Sequence, residues 1–177
     1  MNGSTLLDKI DSYEIFNNLL PGILFCYLVN NGTRFSIPSL GFLEDLFVFY
    51  FCGMVISRIG SLVIEKTLKK YRFIKFAEYG DYYKASQKDE FIITLSETNN
   101  MYRSITSLFL VLLLTKIVDI YLYDTIVQNS IGETALFLIL DILALALFLF
   151  SYKKQSGYVK KRVEQNISAD FDEESSK

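Results

Sequence analysis

Residues 135–154 read ALFLILDILALALFLFSYKK. From Ala135 to Tyr152 only Asp141 carries a charge, and the apolar run closes directly on Lys153 and Lys154. At about 1.5 Å of rise per residue, a helix of this length covers the roughly 30 Å of a bilayer's hydrocarbon core. Lysines at its end anchor it among the headgroups. The stretch therefore reads as a membrane-spanning helix with a stop signal.

Three further apolar blocks lie upstream, at 13–29, 46–64 and 105–123. The last two are long enough to span, with Arg58 as the charge in one and Lys116 and Asp119 near the end of the other. The first is interrupted by Asn17, Asn18, Pro21 and Gly22, so it reads as a kinked span or a re-entrant segment. Residues 1–14 set Asp8, Asp11 and Glu14 against a single Lys9, which is not the basic start of a cleavable signal. The 51% hydrophobic content and mean hydropathy of +0.27 over 177 residues agree with a chain given mostly to spans.

Lysine and arginine in the connections set the orientation, because they are retained on the cytoplasmic side. Residues 66–103 hold eight of them and 153–162 hold five, whereas 30–41 has only Arg34 and 124–134 has none. The expected fold is an all-α membrane protein of four transmembrane helices with both termini cytoplasmic. Residues 1–162 form one membrane domain with a helical cytoplasmic loop at 66–103, its two helical extensions joined near Gly80. Ser96 and Thr98 are candidate caps for the helix leading into the third span. The acidic stretch 163–177 is expected to be a disordered tail.

Depth counting suggests charge pairs. A hairpin of the first two blocks, centred near residue 35, sets Arg58 level with Glu14 at the inner rim, although Arg58 can equally snorkel to the headgroups. A hairpin of the last two sets Lys116 level with Asp141, about 10 Å below the outer surface. Such a pair is either a structural bridge or part of an ion path. Gly53, Ser57 and Ser61 recur every four residues, as do Asn18, Gly22 and Cys26, a spacing that lets helices approach closely or lines a polar wall in an oligomer. In KKYRFIKF (69–76), Lys69, Lys70, Arg72 and Lys75 alternate with aromatics, a pattern suited to anionic headgroups just inside a membrane.

Several classes are disfavoured. Net charge is −2, so there is no basic field for nucleic acid, and none is expected as a partner. Histidine is absent and Cys26 and Cys52 both lie within apolar blocks, which leaves no usual catalytic triad or zinc site. No enzyme activity, cofactor or metal is expected.

LLPGILF (19–25), VISRIGSLVIE (55–65) and LSETNNMYRS (95–104) resemble a group of small bacterial multi-pass membrane proteins. That resemblance implies a bacterial inner membrane and, for some members, a link to phage-defence loci. It implies no site residues. Together these readings point to a non-enzymatic membrane subunit that docks a cytosolic protein or senses membrane state through its loop. The alternative is a homo-oligomeric pore or membrane-perturbing effector.

Overall fold

A computed structural model describes residues 14–123 and 131–175, and every regular element among them is helical. Tyr13, at the start of the first block, and 124–130, most of the connection after the third, lie outside the described residues. A π-helical turn, Ile15–Leu19, leads into α1, Leu20–Gly32. After a loop comes α2, Phe42–Ile59, then a second π-helical turn, Gly60–Ile64, and α3, Glu65–Lys70. The short α4, Tyr79–Lys88, precedes two long helices, α5, Phe91–Tyr123, and α6, Ile131–Ser175.

Three helical stretches are long and apolar enough to cross a membrane: Phe42–Lys70, Phe91–Leu122 and Gly132–Ala169. The first block of the sequence is not among them. Pro21 supplies no N–H for a bond back to the carbonyl of Asn17, and just upstream the helix widens so that the Leu20 N–H reaches the Ile15 carbonyl. The resulting helix packs along α2 at backbone distance. A Cβ added at Gly22 would stand 1.7 Å from the Phe49 carbonyl oxygen, and one at Gly53 would stand 1.7 Å from that of Asn18. Only glycine fits at either position.

The buried face of the second long helix follows ordinary helical spacing across the π turn at Gly60–Ile64. Gly53, Ser57, Gly60 and Ile64 are buried, the i, i+4, i+7, i+11 stripe of a helix, while Ser61 lies to one side of that stripe and donates to the Arg58 carbonyl on its own helix. Gly60 packs against Arg103 and Ser107 of α5.

Beyond the apolar stretches, 66–103 is not two helical extensions meeting at Gly80. Gly80 lies within α4, and the chain between α3 and α4 is irregular. Helix α5 starts at Phe91, whose N–H donates to Asp89 Oδ1 at 3.2 Å. Ser96 and Thr98 lie inside it, each bonded to the carbonyl four residues back, rather than capping it. Nor does 163–175 depart from regular structure: α6 runs unbroken through Ser175, and Val163 is fully buried with Ala85 and Ile92. Ala77, Tyr82 and Ile167 pack around that cluster. Composition marked this acidic stretch as unable to bury apolar surface, yet Val163 and Ile167 recur at helical spacing and α4 covers them.

Candidate functional site

Polar residues inside the bundle gather in two places. In the seam between α1, α2 and α5, Ser104 Oγ donates to Asn17 Oδ1 at 2.7 Å and lies 3.1 Å from Ser57 Oγ. Asn17 Nδ2 donates to Ser57 Oγ at 3.3 Å, and Ser107 Oγ donates to the Ile56 carbonyl at 2.7 Å. These groups are buried and answer one another, so the small-residue stripe serves packing within one chain. Asn18, Gly22 and Cys26 marked the neighbouring face of α1, but the side chain that enters the seam is that of Asn17. The signal was there: a pair of asparagines level with a serine and glycine stripe.

The second cluster lies at the opposite end of the bundle. Lys116 Nζ donates to the Gly32 carbonyl at 2.6 Å and to Asp119 Oδ2 at 3.2 Å. Asp119 Oδ1 accepts the Arg34 backbone N–H at 3.1 Å. A cation at the free carbonyls ending α1 is favourable, and here it is held there by Asp119. Lys116 also lies 5.3 Å over the Phe137 ring of α6.

Asp141 stands apart. It is buried, and neither carboxylate oxygen has a hydrogen-bond partner among the described residues. Lys116 and Asp141 are thus not brought together: α1 reaches Lys116 from one side and Asp119, one turn along the same helix, holds it from the other. Depth counting could not foresee the third element. Glu14 and Arg58 do not meet either. Glu14 Oε2 accepts from Tyr50 Oη at 3.2 Å, while Arg58, one residue past buried Ser57, is exposed.

At the basic end, ion pairs and amides lock the helices. Arg103 meets Glu65 at 2.7 Å, and Lys69 meets the same carboxylate at 2.8 Å. Gln155 Nε2 donates to the Leu95 carbonyl at 3.0 Å, and Ser156 Oγ donates to Asn99 Oδ1 at 2.9 Å. Arg162 Nε meets Asp89 Oδ2 at 2.6 Å, tying α6 to the α4–α5 corner. The guanidinium holds the Asp89 carboxyl below its ordinary value. Of the predicted headgroup residues, Lys69, Arg72 and Lys75 line one open cavity of about 520 Å³ with Ile74 and Phe76, and Lys70 is exposed outside it.

The class defined by this arrangement is an all-helical protein with three helices long and apolar enough to cross a membrane, which carry a packed platform at one end. Comparison with known protein families, curated proteins and solved structures gives no match.

Proposed function

We infer that the chain is a non-enzymatic integral membrane subunit that docks a cytosolic partner, or senses membrane state, through this platform. In this reading it crosses a bacterial inner membrane four times, with both ends and 66–103 in the cytoplasm. The observation that carries it is the platform itself: α4, the start of α5 and the far half of α6 share the Ala85, Ile92 and Val163 core and the Asp89–Arg162 bridge. A rigid surface continuous with a membrane helix suits docking better than a loose linker does.

The first helical stretch, 15–32, has a length of roughly 27 Å at helical rise, close to the thickness of a hydrocarbon core. Its intimate fit against α2 supports a fourth span, and the lysine and arginine bias supports the orientation. The second reading, a homo-oligomeric pore or membrane-perturbing effector, is favoured by one feature, unpartnered Asp141 on a helix whose apolar window is only 6% buried. The phage-defence association stays with that alternative.

Reconstitution into dye-loaded vesicles separates the two. A docking subunit leaves the vesicles sealed, whereas leakage that depends on Asp141 overturns the proposal in favour of the pore. Reporter fusions at Gln87, Gln128 and Lys177 test orientation: cytoplasmic reporters are active at Gln87 and Lys177, and a periplasmic reporter is active at Gln128.

A further inference from the structure

Helix α3 ends in a Schellman turn, in which the Phe73 N–H bonds the Leu68 carbonyl and the Arg72 N–H bonds that of Lys69, both at 2.9 Å. The residue at the left-handed position, with φ 55°, is Arg72. Glycine adopts this conformation without the Cβ penalty, and Arg72 is the one non-glycine residue with positive φ among the described residues. The left-handed φ sets the direction in which the Arg72 Cα–Cβ bond leaves the turn. The Arg72 side chain joins Lys69 and Lys75 around that cavity, a shallow surface depression of about 520 Å³.

The cavity has an apolar side as well, formed by buried Ile74 and half-buried Phe76. Lys69 Nζ is fixed 4.3 Å over the Phe76 ring and 2.8 Å from Glu65 Oε1. Glu65 is already committed to Arg103. Neither Arg72 nor Lys75 has an ion-pair partner among the described residues. Phe73 leans on Phe150 with ring centroids 5.9 Å apart, and Lys153 lies 4.4 Å over the Phe73 ring. These contacts hold the neighbouring wall at the end of the last apolar stretch, which closes on Lys153 and Lys154.

We propose that the cavity lined by Lys69, Arg72 and Lys75 binds a phosphate ester, with Arg72 as its oriented donor. A guanidinium offers two parallel N–H groups to phosphate oxygens, and the two lysines add point charges around the same anion. The Ile74 and Phe76 side receives the less polar part of the ligand. The ester comes from an anionic lipid headgroup or from a soluble phosphate compound. Only the compartment that supplies it rests on the topology proposed above.

The test uses the full chain. Native mass spectrometry from mixed phosphatidylcholine and phosphatidylglycerol micelles reads lipid retention, and calorimetry with ATP in phosphatidylcholine nanodiscs reads soluble phosphate. Binding of phosphatidylglycerol alone assigns the ligand to lipid, and binding of ATP alone assigns it to the soluble source. Arg72→Gly and Lys75→Gln should each weaken whichever binding occurs by about fivefold, the effect of one cation near a charged surface. Arg72→Gly should keep or raise the thermal midpoint, since glycine suits the turn. Failure of both phosphate probes to bind, or wild-type binding by both variants, overturns the proposal. Because the binding is read on purified protein, its failure leaves the topology standing, and a periplasmic reporter active at Gln87 leaves the pocket standing.

Discussion

A carboxylate inside an apolar bundle persists when something answers its charge, and Asp119 has both the Lys116 ammonium and the Arg34 N–H. Asp141 has no such partner among the described residues. Lys116→Leu strands Asp119 and uncovers the Gly32 carbonyl, so it should lower stability in detergent by on the order of 3 kcal/mol. Asp141→Leu removes an unanswered polar group and should be neutral or stabilising. The double variant should show the sum of the two effects, since the residues share no contact; thermal midpoints of the three proteins check this, and rescue of one change by the other would place the pair together. Asp89 makes a pH prediction. Arg162 lowers its folded-state value, so its stabilising share is present above the ordinary value of 3.8 and is lost as pH falls through the lower folded value. Protection of the 79–92 amides, corrected for the intrinsic pH dependence of exchange, should therefore fall as pH drops below 3.8, and Asp89→Asn should remove this pH dependence.

Between elements, the decisive quantity is how closely two backbones approach. Ala at Gly22 or Gly53 drives a methyl into a carbonyl oxygen that is itself part of a helix, and should cost about 1–3 kcal/mol or more by overpacking. Ala at Gly157, which has nothing within 4 Å of the added Cβ, should instead stabilise α6 by about 0.5–1 kcal/mol. Thermal midpoints of the three single variants test the contrast, and equal tolerance at Gly53 and Gly157 would refute the close α1–α2 contact. Four-residue recurrence of small side chains is why Gly53 and Ser57 could be singled out from sequence, and residue counting along a hairpin yields depth. It yields no rotation about the helix axis. Arg58 is therefore exposed while Glu14 accepts from Tyr50, and the small-residue face runs through Gly60 at helical spacing rather than through Ser61 at every fourth residue.

For the molecule as a whole, the apolar blocks that mark Phe42–Lys70, Phe91–Leu122 and Gly132–Ala169 were legible because hydropathy over that length has few other uses. The platform was not, because its core is small and is assembled from segments far apart in sequence. Its residues, Ala85, Ile92 and Val163, each look ordinary alone. If α6 organises this end, the segment 79–92 should depend on a residue that composition assigned to a loose tail. Val163→Asp buries a charge with no opposite partner in that cluster, at a cost of several kcal/mol or by local unfolding. In the wild type, trypsin should cut slowly at Lys84 and Lys88, which α4 holds in helical form against α6. In Val163→Asp, and in a chain ended after Lys161, both sites should be cut rapidly while the apolar part of α5 stays intact. Because the Arg103–Glu65 and Ser156–Asn99 contacts lie nearer the bundle and survive both changes, loss of protection confined to 79–92 would locate the platform's stability in α6. Unchanged protection in both variants would show that α4 is held by something other than the buried face of α6.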